Sequence, residues 1–110
     1  MSAKEKSEKM IRVQPLVDVM ESEDAFVVLA DLPGVDVSKV DLSIEKGQIQ
    51  LSALREATEV SPAMTYERRF LVPREIDAAQ INASMSRGVL TLRLPKAAAP
   101  KPRRIEVTIE

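Results

Sequence analysis

The chain contains no cysteine, histidine or tryptophan, and its aromatic residues make up only 3% of the 110 residues. Without cysteine there is no disulfide, no thiol nucleophile and no thiolate ligand. Without histidine the chain lacks the side chain that most often performs acid–base chemistry near neutral pH. Common zinc sites also depend on these two residue types. The composition therefore predicts a protein that is not an enzyme and that uses no metal or other cofactor.

Long hydrophobic runs and a strong net charge are also absent. A formal net charge of -1 provides no overall attraction to nucleic acid or to anionic membranes. No apolar segment approaches the ~18 to 20 residues that span a bilayer, and the first residues lack the apolar core of a signal peptide. The basic cluster Lys101, Arg103 and Arg104 has no aromatic platform beside it and is typical of a solvated tether. We therefore expect a cytoplasmic protein with no nucleic-acid or membrane partner.

Hydrophobic residues make up 45% of the chain, which is enough to bury one core. Their clearest pattern is the alternation of Leu90, Leu92 and Leu94 with polar or smaller residues, which is typical of a strand with one buried face. Gly88 permits a tight turn before this segment, and Pro95 ends its pairing because proline has no amide hydrogen. The same alternation over 40–45, 48–52 and 81–86 predicts two hairpins, one with a turn at Lys46-Gly47 and one that joins 81–86 to the leucine strand through a turn at Arg87-Gly88.

Turn signals divide the chain into about seven short strands, and no segment has the pattern of an amphipathic helix. This predicts an all-β fold, an immunoglobulin-like antiparallel β-sandwich with a flexible C-terminal extension. We expect a disordered N-terminal arm over 1–14, the sandwich over 15–95 and a tether over 96–110. Within the sandwich, 74–80 is expected to hold one helical turn capped by Asp77.

The last residues combine a tether with a strand pattern. Ile105, Val107 and Ile109 alternate with polar residues and therefore share one side of an extended segment. Such a segment folds back to complete its own sheet, or it adds to a groove or sheet edge of another subunit. The residues alone leave both alternatives open.

Three segments, in this order, resemble the α-crystallin domain of small heat-shock proteins. They are A-D-L-P-G-V at 30–35, Y-E-R-R-F-L-V-P at 66–73 and R-G-V-L-T-L-R-L-P-K at 87–96. The family patterns are A-D-L-P-G-V, F-x-R-x-F-x-L-P and N-G-V-L-T-V-x-x-P-K. The similarity runs from about Pro15 to the end of the chain, and I-E-V at 105–107 is similar to the family's C-terminal I-x-I/V motif.

The resemblance implies an ATP-independent holdase that binds partly unfolded client proteins and limits their aggregation. It also implies that a C-terminal docking motif, Ile105, Val107 and Ile109, enters a groove between two sheet edges of a neighbouring subunit. The residues expected to line this docking and client groove are Val40, Leu42, Ile44, Ile81, Ala83 and Met85. Ordinary core packing is the alternative role for these six.

Self-association is a further implication. Bacterial and plant relatives exchange a strand that is carried on a long loop. Here the loop 55–64, fully extended, spans at most about 33–36 Å in one direction. An exchanged strand would require the chain to extend to the partner subunit, form the strand and return within that length. We therefore expect direct pairing of an edge strand over 65–72, with Tyr66, Arg68 and Phe70 as dimer contacts. The alternative for Arg68 is an ordinary surface arginine that makes no dimer contact. The short N-terminal arm without aromatic residues predicts a homodimer or a small homo-oligomer.

A CS-domain-like β-sandwich adaptor or co-chaperone, which binds one folded partner, is the alternative function. Adaptors of that kind need no C-terminal docking motif. The I-E-V segment therefore favours the chaperone.

Overall fold

The computed structural model describes residues 11–98 and 104–110. Within these residues the chain forms eight strands and two short 3-10 helices. The strands are β1 (Ile11–Val13), β2 (Val17–Glu21), β3 (Ala25–Asp31), β4 (Val40–Glu45), β5 (Gln48–Arg55), β6 (Met64–Leu71), β7 (Asn82–Ser86) and β8 (Val89–Pro95). The 3-10 helices are Val37–Lys39 and Ala78–Gln80.

The strands make two four-stranded sheets. One sheet has the order β1-β6-β5-β4 and the other has the order β2-β3-β8-β7. Neighbouring strands are antiparallel, apart from β1, which runs parallel to β6. The predicted all-β antiparallel sandwich is confirmed, with β1 added to the expected strands.

Both predicted hairpin turns are present, and each has two residues. Lys46 and Gly47 connect β4 to β5 with φ angles of 51° and 74°, and Arg87 and Gly88 connect β7 to β8 with φ angles of 51° and 78°. Positive φ at both turn residues gives a backbone twist that matches the twist of the flanking strands. These turns keep the paired strands in register, so that each places its apolar face toward the other sheet.

The core lies between the two sheets. In β8, Leu90, Leu92 and Leu94 are buried, and they face Ile49 and Leu51 of β5 within one apolar cluster. The alternation in β8 therefore builds the inner face of one sheet, as predicted. The other buried members of the cluster are Val28, Ala30, Leu32, Val35, Ala53, Tyr66 and Ile76.

The residue that precedes the second 3-10 helix is bonded to the end of β8, since the Asp77 amide donates to the Pro95 carbonyl at 2.9 Å. The Asp77 carboxylate accepts a hydrogen bond from the Ala79 amide at 3.2 Å, which confirms the predicted cap. Past the end of β8, the Lys96 amide donates to the Asp24 carbonyl at 2.8 Å, and the Ala97 amide donates to the Glu75 carbonyl. The predicted tether is therefore still held by the domain at its first two residues.

Strand β1 lies in the segment that was predicted to be a disordered arm. Its three residues pair with Met64–Tyr66 of β6, and Val13 packs against the core. The sequence pattern misses this strand because three residues carry no readable alternation, and their pairing depends on a segment some fifty positions away. The prediction for residues 1–10 lies outside the described residues.

Candidate docking groove and C-terminal segment

The sandwich is open along one side, where the end strands of the two sheets face each other. Because β4 ends one sheet and β7 ends the other, a groove of about 210 Å³ remains between them. We call it the β4–β7 groove. Four of the six predicted lining residues are found there, namely Leu42, Ile44, Ile81 and Ala83.

Val40 and Met85 do not line this groove. Both are partly buried and pack against the core, which is the alternative role considered for them. By contrast, Ile44 is 49% exposed, although its alternation with polar neighbours predicts a buried face. The difference arises because β4 is an end strand, so an inward-facing side chain near its end looks into the open groove.

The floor of the groove contains two residues that sequence reasoning missed. Ile49 lies opposite Ile44 in the β4–β5 register, and Leu92 lies opposite Ala83 in the β7–β8 register. The cross-strand register of the two hairpins was the signal that could have found them. Further lining comes from Ser43, Ala78 and Asn82. The lining is predominantly apolar, so the groove accepts aliphatic side chains.

The C-terminal segment presents apolar side chains to solvent. Residues 104–110 form no strand, and Ile105, Val107 and Ile109 are 76%, 93% and 100% exposed. The expected strand is absent from these residues because an extended segment needs a partner edge for its hydrogen bonds. Of the two alternatives left open by the sequence, completion of the chain's own sheet is not seen in the described residues.

Comparison with known proteins identifies the family. The model of the Hsp20/alpha crystallin family matches residues 18–108, which is most of the chain. This chain belongs to the Hsp20/alpha crystallin family of small heat-shock proteins.

The chain covers a different share of the length of each curated relative. The chain is 31% identical to the probable 15 kDa heat shock protein of Leptospira interrogans, over 99% of this chain and 89% of that protein. It is 34% identical to the 18 kDa antigen 1 of Mycobacterium intracellulare, over 86% of this chain and 68% of that protein. It is 30% identical to spore protein SP21 of Stigmatella aurantiaca, over 84% of this chain but 61% of that protein.

A solved structure gives the same result for the fold. The small heat-shock protein from Xylella fastidiosa superposes with a TM-score of 0.72 at 35% identity, covering 88% of this chain and 98% of that one. The rat alpha crystallin domain superposes with a TM-score of 0.59 at 20% identity, which supports the fold alone. The family predicted from the three sequence motifs and the sandwich predicted from the strand pattern are therefore confirmed.

In this small heat-shock protein, strand β1 covers the first part of the β6 edge that was predicted to form the dimer contact. Strand β1 pairs with Met64–Tyr66, so the unpaired part of the β6 edge begins at Glu67. Tyr66 is buried within its own domain, so its side chain is not at the surface. Arg68 lies 5.8 Å from the centre of the Phe70 ring, and both are partly buried.

The loop between β5 and β6 is held against its own subunit. Arg55 Nη2 donates to Ser61 Oγ at 2.7 Å and to the Pro62 carbonyl at 2.8 Å. Inside the loop, the Thr58 amide donates to the Ser61 carbonyl at 2.8 Å, and residues 56–63 contain no strand. The loop therefore offers no preformed strand for exchange with a second subunit.

A charged cluster marks the point where the C-terminal segment leaves the sandwich. The Ser22 hydroxyl, which donates to the Asp24 carboxylate at 2.7 Å, and the nearby Arg93 and Lys96 hold the pKa of Asp24 below its ordinary value of 3.8. Lys96 Nζ in turn lies 2.7 Å from Glu21 Oε2 and donates to the Ser22 carbonyl at 2.8 Å. These contacts fix the origin of the tether.

Neither a metal site of clustered carboxylates nor a membrane-spanning helix is present in the described residues. No group of three or more acidic side chains there is arranged to hold a metal ion. None of the helices in 11–98 and 104–110 has the length and apolarity needed to cross a membrane.

Proposed function

We propose that this protein is an ATP-independent holdase, which binds partly unfolded proteins and limits their aggregation, and which assembles by C-terminal docking. Membership of the small heat-shock protein family supports the chaperone role. The observation that carries the docking is the pairing of an open apolar groove with a C-terminal segment whose apolar side chains are uncovered. The proposed location is the cytoplasm, and the proposal includes no cofactor, membrane or nucleic acid.

The spacing of the C-terminal segment suits the β4–β7 groove. Ile105 and Val107 are two residues apart, so in an extended conformation both side chains point to the same side. The outer edge of β4 pairs with no other described strand, so its main-chain groups are free to bind an added strand. Burying Ile105 and Val107 would contribute roughly 1.5–3 kcal/mol each, which gives a reversible contact. A reversible contact allows the same groove to be shared with clients.

Self-association in this proposal does not use strand exchange, because the 56–63 loop is bonded to its own subunit. The unpaired edge of β6 from Glu67 to Leu71 is the proposed dimer edge, with Arg68 and Phe70 beside it. Docking of C-terminal segments between such dimers would give a small oligomer.

The experiment measures light scattering from citrate synthase heated to its aggregation temperature, without ATP. We expect the wild-type chain to suppress scattering at equimolar amounts or below. No suppression at several-fold excess contradicts the chaperone. A stable stoichiometric complex with one folded protein, without suppression, would indicate an adaptor instead.

Docking is tested separately by molar mass. The double variant Ile105→Ser/Val107→Ser is compared with Glu106→Gln/Thr108→Ser, which changes the polar side of the same segment. We expect only the first variant to lower the molar mass measured by light scattering. Equal masses for both variants and the wild type contradict docking as the basis of assembly.

A further inference from the structure

Two strand edges without a pairing partner in the described residues lie on the same side of the sandwich. Strand β2 (Val17–Glu21) ends one sheet, and β6 is uncovered from Glu67 to Leu71, beyond the end of β1. Both strands line one apolar groove of about 380 Å³, on the side opposite the β4–β7 groove. Beside the β6 edge, where β1 ends, an open hollow of about 470 Å³ leaves room for an added strand.

We infer that these two edges form one reciprocal interface with a second copy of this chain, in which β2 of each copy pairs with β6 of the other. This inference rests on the proposed dimer edge at β6 and names the strand that pairs with it. A two-fold axis parallel to the strands would produce both pairs at once, because it exchanges the two sheets and preserves strand direction. The two sandwiches would then share two continuous sheets, and each would cover the other's apolar groove.

The two edges have the directions that this pairing requires. The end of β5 lies beside the end of β3, since Arg55 packs against Gly34. The start of β8 lies there too, since the Leu32 amide donates to the Gly88 carbonyl at 2.7 Å. Strand β5 is therefore antiparallel to β8 across the sandwich, and the pairing within each sheet gives both β2 and β6 the direction of β8. The reciprocal pairs are thus parallel, as is the existing pair of β1 with β6.

The side chains match in the register that the axis imposes. Val19 and Phe70 line the same groove, and rotation about an axis parallel to the strands brings together residues at the same height. With Val19 beside Phe70 of the second copy, Met20 lies beside Leu71 and Asp18 lies beside Arg69. Met20 is 51% exposed and Leu71 is 79% exposed, so the pairing would cover both.

Charge differs in sign between the two edges. Residues 17–24, which are β2 and the turn after it, include no basic residue and four acidic ones, Asp18, Glu21, Glu23 and Asp24. Residues 67–74, which are the free β6 edge and its continuation, include Glu67 and three arginines, Arg68, Arg69 and Arg74.

Some of these charges already have partners within the subunit. In the described residues, Glu21 pairs with Lys96, Asp24 pairs with Arg93, and Glu67 lies 4.0 Å from Arg12. Asp18 and Arg69 are both exposed, and neither belongs to an ion pair in that part of the chain. The reciprocal interface pairs these two side chains with each other, once on each side of the axis.

Pairing of either edge with itself is less favourable. An antiparallel pair of β6 edges over 67–71 would place Arg69 opposite Arg69 of the second copy. A pair of β2 edges would bring two acidic segments together. Like charges directly opposite each other destabilise a strand pair, whereas opposite charges stabilise it. Charge therefore favours β2 with β6 over both symmetric alternatives.

The test reverses the charge at each side of the proposed contact. All chains are full-length and carry Ile105→Ser/Val107→Ser, so that C-terminal docking does not contribute to the molar mass. Asp18→Arg, Arg69→Asp and an equimolar mixture of these two variants are compared over a dilution series by light scattering. The control is Asp41→Arg, which reverses an exposed acidic residue on β4. If either variant does not fold, Met20→Arg and Leu71→Asp take their places, because these residues face each other in the same register.

We expect Asp18→Arg and Arg69→Asp each to raise the dissociation constant of the dimer roughly tenfold or more, since each creates two like-charge pairs. The mixture should recover the affinity of the Asp41→Arg control, because a dimer with one copy of each variant has opposite charges at both contacts. Equal dissociation constants for Asp18→Arg and Asp41→Arg would overturn the inference and leave the chaperone and docking proposals intact. Absence of recovery in the mixture would also overturn it. A parent chain that stays monomeric at every concentration would overturn the proposed dimer edge, and the inference with it.

Discussion

Replacing Leu92 by alanine should destabilise the sandwich more than any change at its surface. Leu92 is 1% exposed, lies opposite Val28 and Ala83, and lines both the β4–β7 groove and the apolar groove between β2 and β6. Truncation of a buried leucine costs about 2–5 kcal/mol, since it removes apolar contacts and leaves a cavity between the sheets. A domain of this size has a total stability of about 5–15 kcal/mol, so a large part of it would be lost.

The loss is measured by urea unfolding followed by circular dichroism, at one protein concentration because assembly contributes to apparent stability. The smallest destabilisation expected for Leu92→Ala, about 2 kcal/mol, corresponds to a fall of roughly 8–16 °C in the unfolding temperature. The matched control is Leu16→Ala, which truncates the same residue type at an exposed position before β2 and should change stability by less than about 0.5 kcal/mol. If Leu92→Ala were as stable as this control, the packing described between the two sheets would be refuted.

Two further predictions concern the turns and the charged cluster. Gly88→Ala should lower the free energy of unfolding in urea by about 1–2 kcal/mol, because alanine is strained at a φ of 78°. The control Ser84→Ala on β7 should have little effect. Equal effects of the two substitutions would exclude backbone strain in the turn. Asp24→Asn should lower the unfolding temperature at neutral pH. Because the pKa of Asp24 is lowered in the folded state, its contribution is complete above the ordinary value of 3.8 and is lost as the pH falls through the lower folded value. A difference between Asp24→Asn and the wild type that stayed constant down to acidic pH would contradict this assignment.

Local features of the fold were predictable from the sequence because short-range chemistry determines them. Positive φ at Gly47 and Gly88 follows from what two-residue hairpins require, and the Asp77 cap follows from the hydrogen bonding of a helix start. The alternation of leucines identified the inner face of β8 for the same reason. These features depend on a few neighbouring residues and not on the rest of the chain.

Features that depend on distant contacts were not predictable. Strand β1 forms by pairing with the start of β6, where Val13 lies opposite Tyr66. Nothing within Ile11–Val13 itself predicts this pairing. Alternation placed Val40 and Ile44 on one face, but it cannot tell which end of an edge strand is covered by the other sheet. Val40 consequently packs against the core, while Ile44 opens into the β4–β7 groove.

The apolar groove of about 380 Å³ between β2 and β6, on the other side of the sandwich, shows the same limit at a larger scale. Phe26 and Phe70 lie in different sheets and are 44 positions apart in the sequence, and only the order of the strands brings them to one groove. The sequence prediction assigned Phe70 to a dimer edge because the short 55–64 loop argues against strand exchange. The partial cover by β1 changes which surfaces of β6 remain available.

The measurement that tests the central claim most directly is cysteine cross-linking between subunits. The natural chain has no cysteine, so Ile44→Cys and Val107→Cys each introduce one thiol. The two single variants are mixed, oxidised and separated on a non-reducing gel, with Val37→Cys replacing Ile44→Cys as the control. Docking of the C-terminal segment in the β4–β7 groove of another subunit predicts a disulfide-linked heterodimer for Ile44→Cys with Val107→Cys. Equal yields with Ile44→Cys and Val37→Cys would contradict it.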